Sequence, residues 1–398
     1  MVIAIDCLVF NMNKRICFFT YNLFGLGGIQ RVVSVVASAL CKYYDVYILC
    51  FDKPETENRT TYNLSHDVKV IYANNNNCTL RKILRKLNQK SGILDKVGSS
   101  NLLDYAYILP EEQKLYKQVL NHNKINIAVA VGAFESCILG SITKDINCKT
   151  VGWQHNSYKA YYETPGMACW GMKYIIDKYL PMLDKFIVLN EYDQKQFLEK
   201  RNFKCETIHN PKSFVCNQQA KLQNKNFIAA GRFIYAKGFD LLLNAFEIFA
   251  RSNSEWTLTI YGTGDGMQKI KDKISTYHLN DRVFLPGFSD NMSEKLMESS
   301  CYLLSSRWEG MPMVILEALE IGLPIISFDI SAMIPLVDDG IEGIIVRQFD
   351  CEEFANAMLK LAQNYELRLS MGTSARKKAQ LFTIEKITEK WRYVLENL

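Results

Sequence analysis

Residues 306–327 read SRWEGMPMVILEALEIGLPIIS, and this stretch decides the fold. An apolar strand at 302–304 runs into the tight loop Glu309-Gly310-Met311-Pro312. A short helix follows, with a second carboxylate, Glu317, inside its first turns. Gly322-Leu323-Pro324 stops that helix, and Ile325-Ile326 opens the next strand. Strand, loop, helix and strand in this order form the unit of a doubly wound parallel sheet, whose helices point their amino ends into the crevice above the strands. The unpaired N–H groups of such an end suit an anion such as a nucleotide diphosphate. Two carboxylates beside it suit hydroxyls, which donate to them. An anion joined to a polyol is what a nucleotide sugar presents.

The same alternation extends upstream through the second half. A strand at 227–230 leads into Gly231-Arg232, then Lys237-Gly238 and a helix at 239–250. Next come a strand at 258–261, the loop Gly262-Thr263-Gly264-Asp265-Gly266, a helix at 267–277, and a strand at 283–285 followed by Pro286-Gly287-Phe288. A helix at 291–298 precedes the opening unit. Helices at 352–364 and 367–382 complete this half, and a last helix at 384–398 carries Ile387, Trp391, Val394 and Leu395 on one stripe. The first half repeats the theme, with strands at 16–20, 46–51, 68–72, 127–131, 150–153 and 186–189. The turn Gly25-Leu26-Gly27-Gly28 leads into a helix at 29–43, and Asn190 caps the helix after the last strand. The expected fold class is α/β, with two Rossmann-like doubly wound domains at 1–210 and 227–382, a polar linker at 211–226, and a terminal helix at 383–398. Residues 74–100 fit neither theme. Four asparagines precede LRKILRKLNQK, whose apolar residues keep helical spacing among Arg81, Lys82, Arg85, Lys86 and Lys90. This segment is expected to be an insertion outside the core.

At 398 residues the chain exceeds one ordinary core, in keeping with two domains. The net charge of +5 is too small for a dedicated nucleic-acid binder. The cysteines form no Cys-x-x-Cys pair, the closest two being Cys41 and Cys50, so buried free thiols in a reducing, cytoplasmic setting are expected rather than disulfides or zinc. No apolar run reaches the roughly 20 residues of a membrane span. The start, MVIAIDCLVFNMNKR, has the wrong charge order for a signal peptide, and Met12 would make a natural beginning.

Taken in order, these elements resemble the retaining glycosyltransferases of family 4, which have two domains facing a cleft in the GT-B arrangement. The match runs through Gly27-Gly28, Trp153-Gln154-His155-Asn156, His209-Asn210-Pro211, Gly231-Arg232 with Lys237-Gly238, Tyr261-Gly262-x-Gly264, Gly287-Phe288, and Glu309-Gly310-Met311-Pro312 with Glu317. Only residues 74–100 have no counterpart in the pattern. The resemblance implies that Arg232 and Lys237 clamp the donor diphosphate, whose charge grows as the glycosidic bond breaks. It implies that Glu317 accepts from the ribose hydroxyls and Glu309 from donor-sugar hydroxyls. The backbone N–H groups around Gly310, Met311, Met313 and Val314 would hold sugar and phosphate oxygens. Gly287 and Phe288 would border the base, Gly262 and Gly264 the donor loop, and Gly27 and Gly28 the phosphates and acceptor. His155 would face the sugar, and the terminal helix would cross back onto the first domain. Each residue has an ordinary alternative: a solvated basic turn, a helix-dipole carboxylate, a packed phenylalanine, a helix-entry glycine, or a structural histidine.

No Asp-x-Asp triplet occurs anywhere, which points to a metal-independent reaction with no cofactor. The donor expected from family habit is a UDP-sugar, and the acceptor a growing cell-surface glycan or lipid-linked saccharide. The basic helix at 80–90 would lie on an anionic membrane or pack its leucines inward. Other readings stay open: a glycosidase using Glu309 and Glu317, which must then lie roughly 5–5.5 Å apart, a nicotinamide oxidoreductase with an imperfect glycine fingerprint, or a non-catalytic sugar-nucleotide-binding subunit of a polysaccharide assembly complex.

Overall fold

The computed structural model describes residues 14–74, 79–96 and 98–398. The expectation that residues 1–11 are a spurious extension falls outside them, as does most of the asparagine run. Two all-parallel sheets organise the chain. The first contains β1 (Arg15–Phe19), β2 (Asp45–Cys50), β3 (Lys69–Tyr72), β4 (Ile127–Val131), β5 (Lys149–Trp153), β6 (Lys185–Val188) and β7 (Glu206–Thr207) in the order β3-β2-β1-β4-β5-β6-β7. The second contains β8 (Asn226–Ala230), β9 (Thr257–Tyr261), β10 (Val283–Gly287), β11 (Cys301–Leu304), β12 (Ile325–Phe328) and β13 (Gly343–Val346) in the order β10-β9-β8-β11-β12-β13. Central strands such as IAVAV of β4 and CYLL of β11 are buried throughout, because helices cover both faces of a parallel sheet.

In each sheet the strand order reverses at one place, between β1 and β4 and between β8 and β11. Crossover helices leave opposite faces there and open a crevice beyond the carboxyl ends of the strands. The loops after β8 and β11 carry Arg232, Lys237 and Glu309, so the second crevice holds the polar groups singled out in the sequence. The last helix, Ile384–Glu396, returns to the first domain. There the Trp391 ring lies 4.7 Å from Trp153 and 6.3 Å from Phe18, and Tyr44 donates to Glu396 at 3.1 Å.

Several elements differ from the sequence reading. The strands β7 and β13 were not expected. The first has two residues, too short for a period-2 signal, and the second is a four-residue edge strand that opens on a glycine, buried at its ends and partly buried between. The segment at 74–100 is knitted into its domain: Asn88 is fully buried and donates to the Gly171 carbonyl at 2.6 Å and to Tyr107 at 3.1 Å. The tract at 211–226 is no free tether either. Buried Lys212 pairs with Glu320 at 2.5 Å, and the Ala220 amide donates to the Ile321 carbonyl at 3.0 Å. Every described cysteine is a free thiol.

Candidate functional site

A cavity of about 400 Å³ opens between the two crevices. From the second domain, Arg232, Lys237, Glu309, Gly310, Met313 and Val314 line it; from the first, Gly27, Gly28, Arg31 and His155 do so.

The loop after β8 owes its course to the loop after β11. Arg307 grips Asp240 with two bonds, at 2.8 and 2.6 Å, donates to the Tyr235 carbonyl and lies 3.8 Å from the centre of the Tyr235 ring. Its own amide donates to Ala236, and the Ser305 hydroxyl to the Lys237 carbonyl. Gly238 completes the dock at φ 62°, where a side chain would overlap the Ser305 carbonyl oxygen. Lys237 is thereby carried to Glu309, 2.6 Å away, and the same carboxylate oxygen accepts from Ser306 at 2.6 Å. Arg232 is exposed and, among the described residues, its guanidinium has no protein partner. With Arg31, which pairs with Glu317, the cavity wall therefore carries two committed cations and one uncommitted cation, Arg232.

The helix Met313–Ile321 starts at Pro312 without a side-chain cap, leaving its first N–H groups to the cavity. Asn210 donates to the Met311 carbonyl at 3.0 Å, and Asn190 to Gly310 at 3.4 Å. Gly310 abuts the first domain, since a Cβ there would overlap the His155 carbonyl oxygen.

Glu317 lies differently from Glu309. It is 1 % exposed, does not line the cavity, and gives one carboxylate oxygen to Arg31 and to Ser213, the latter at 2.7 Å. Its other oxygen is buried without a partner. Arg31 stands in the first turn of the helix Gly28–Leu40, where the helix dipole disfavours a cation. That misplaced charge is the sequence signal which would have found it. Its ring neighbour Tyr62, 5.0 Å from the guanidinium, accepts from the Gly27 amide at 2.9 Å. Arg31, Ser213, Tyr62 and Arg307 are the residues that sequence reasoning missed.

In the first domain, an added Cβ at Gly28 would meet nothing nearer than Met313 Cγ at 3.9 Å. Gly28→Ala is therefore expected to melt like the wild type while weakening nucleotide binding about tenfold, as measured by calorimetry, if a ligand fills the space. His155 is buried, and its Nε2 faces no protein partner. Burial alone lowers its pKa to about 3, so the ring is neutral at pH 7. A histidine depressed below its unfolded value of about 6.5 destabilises the fold as pH falls from there toward 3, because only the unfolded chain takes up the proton. Between pH 7 and 5 the wild type is expected to lose about 2 kcal/mol that His155→Gln does not lose, as read by urea titration.

Gly262 (φ 135°) and Gly264 (φ 150°) are backbone necessities: a side chain on the first would overlap the Gly231 carbonyl oxygen, and one on the second would crowd Phe233. Only Gly262 lines the cavity. Gly287 (φ 91°) turns the chain after β10, and Phe288, 41 % exposed, forms part of the cavity wall. Among the described residues no cluster of histidine, cysteine or carboxylate side chains has the makings of a metal site, and no helix is long and apolar enough to cross a membrane.

Two facing Rossmann-like domains with a returning terminal helix define a GT-B fold. Solved structures share it: a mutant of S. aureus TarM, in complex with Fondaparinux, alpha-GlcNAc-glycerol and UDP, aligns with a TM-score of 0.75 at 16% identity over 96% of this chain and 99% of that one. Anabaena HepE in complex with UDP-glucose gives 0.75 at 16% identity, over 96% and 100%. Residues 216–378 match the family model for glycosyl transferases group 1. The chain is 29% identical over 393 residues to an uncharacterised glycosyltransferase of Haemophilus influenzae, covering 96% of this chain and all of that one. It is 25% identical to the poly(ribitol-phosphate) alpha-N-acetylglucosaminyltransferase of Staphylococcus aureus, over 78% of this chain and 63% of that enzyme.

Proposed function

We propose that this protein is a retaining, metal-independent glycosyltransferase that moves a sugar from a nucleoside diphosphate, with UDP as the expected carrier, to a saccharide acceptor of a cell-surface glycan. One observation carries the reading: Arg232, the Lys237–Glu309 pair and the uncapped start of the helix Met313–Ile321 converge on one cavity between two crevices. A diphosphate placed there meets two cations and a helix amino end, which stabilise the charge that grows on it as the glycosidic bond breaks. Glu309 then accepts from donor-sugar hydroxyls, and Glu317, buried behind Arg31, accepts from a ribose hydroxyl once the donor has moved Arg31 aside. Neutral His155 offers its unpartnered nitrogen to the sugar without adding charge near the anomeric carbon.

Retention fits a site in which the acceptor attacks from the side the diphosphate leaves, its proton passing to the departing oxygen. That leaves the protein to position the reactants and exclude water. The names of the relatives and of the ligands in the similar structures support a nucleotide-sugar donor and a glycan acceptor. The two-carboxylate hydrolase is disfavoured because Glu317 stands outside the cavity and is tied to Arg31. A non-catalytic subunit would have the same cavity, so turnover must decide between them. The test is a melting screen with UDP, GDP, ADP and NAD, then a donor screen with assignment of the product anomer. At 100 times its Kd, the correct diphosphate raises stability by about 2.7 kcal/mol. Stabilisation by NAD alone, an inverted product, or activity lost in EDTA and restored by Mn²⁺ refutes the corresponding part.

A further inference from the structure

The helix Thr79–Ser91 is mounted in an unusual way. Its polar residues hold it to the domain: Arg85 donates to the Ala106 carbonyl at 2.7 Å, Arg81 pairs with Glu111 at 2.7 Å, and Asn88 is fully buried against Gly171 and Tyr107. Of its apolar residues Leu84 packs on the core, but Leu80, Ile83 and Leu87 face out, at 54, 49 and 54 % exposure. At helical pitch these three share a stripe about 60° wide. Exposed Lys82, Lys86 and Lys90 follow along one side of it. Nearby Ile93 and Leu102 are also about half exposed. The alternative in which the leucines pack inward therefore holds for Leu84 and not for Leu80 or Leu87. The anchored arginines and asparagine leave the helix no freedom to roll its apolar face under.

We propose that this face, Leu80, Ile83 and Leu87 with Lys82, Lys86 and Lys90, is a docking surface for an anionic lipid bilayer. Charge selects that occupant. The helix has no acidic residue, and the neighbouring carboxylates Glu111 and Asp104 are already taken by Arg81 and Lys178. A second copy is a poorer partner, because an antiparallel two-fold contact would oppose one lysine row to the other, and a parallel one would leave both rows without an anion. A bilayer satisfies both halves at once, with side chains entering the acyl boundary and ammonium groups at anionic headgroups. The helix follows the carboxyl end of β3, the sheet edge that opens on the cleft, so a docked molecule holds its acceptor side close to the lipid surface.

The inference does not depend on the reaction assigned above and is tested without turnover. The full chain is sedimented with vesicles of phosphatidylcholine alone and of phosphatidylcholine with about 30 mol% phosphatidylglycerol. Binding is expected to the anionic vesicles, weakened by salt through screening. The triple variant Lys82→Ser, Lys86→Ser, Lys90→Ser is expected to bind them roughly 100-fold more weakly, at about fivefold for each lysine. The triple variant Leu80→Ser, Ile83→Ser, Leu87→Ser is expected not to sediment at any salt concentration. Both should melt like the wild type, since neither touches the buried anchors. Failure of the wild type to sediment, unchanged binding in either variant, or a dimer that only the leucine variant dissolves in place of vesicle binding overturns the proposal.

Discussion

Arg232→Ala and Lys237→Ala are each expected to slow transfer by roughly 10²–10³, the usual effect of removing one group that stabilises charge developing in a transition state. The two variants should differ in everything else. Arg232 is exposed and has no protein partner among the described residues, so its alanine variant keeps the wild-type melting curve. Lys237 neutralises Glu309, whose side chain is only 14 % exposed, and its loss leaves that carboxylate with Ser306 alone. Lys237→Ala should therefore also be less stable, and should recover part of that stability when Glu309 is changed to Gln in the same chain. Steady-state rates with the donor found by the melting screen check the first claim, and thermal unfolding of the three variants checks the second. Near-normal turnover in both single variants would remove the diphosphate from this cavity.

That experiment also probes how the site is organised before a donor arrives. The residues read from the sequence as separate ligand contacts are partners of one another, Lys237 with Glu309, or partners of residues the sequence did not point to, Glu317 with Arg31 and Ser213. A binding site with cations and carboxylates in excess of its internal pairing would carry unsatisfied buried charge when empty. Internal pairing removes that cost, and a donor must then compete for the paired groups. Arg232 is the group it can take without competition, whereas the unpartnered oxygen of Glu317 is buried and must first be uncovered.

The double alternation of strands and helices was legible, because strands buried on both faces leave long apolar runs and glycine-rich turns mark their ends. Arg232, Lys237 and Glu309 could be placed in the loops after two of these strands for the same reason, while it was the ordered resemblance that singled them out. Four things were not. The strand Gly343–Val346 opens on a glycine and shows no alternation, being buried at both ends and partly buried between. The tract at 211–226 reads as a tether because its polar residues give no hint that Lys212 has a buried partner 108 positions away. The face of the helix Thr79–Ser91 cannot be oriented from spacing, which gives the stripe but not the side of the helix that the domain covers. Arg31 was hidden by a different cause: its partner lies in the other domain, and only a cation placed against a helix dipole hinted at it.

Lys212→Met is expected to destabilise the second domain by about 3–5 kcal/mol, as breaking a buried ion pair from one side does. Both side chains are almost completely enclosed, at 3 and 1 % exposure, and the ammonium lies 2.5 Å from Glu320 Oε2. The other Glu320 oxygen accepts from the Cys216 amide at 2.8 Å, while the Lys212 amide donates to the Phe382 carbonyl at 2.8 Å. The pair thus joins the connecting tract, the helix that opens on the cavity and the turn before the terminal helix. Removing the lysine leaves a carboxylate in a place water cannot reach. Changing both residues, Lys212→Met with Glu320→Leu, removes the charge as well as its partner and should recover most of the loss, leaving about 1 kcal/mol for the unpaired Cys216 amide. Urea titration of the single and double variants measures this directly. A single variant within about 1 kcal/mol of the wild type would mean that the tract is a tether after all, and that the two crevices are held face to face by the terminal helix and the contacts across the cleft.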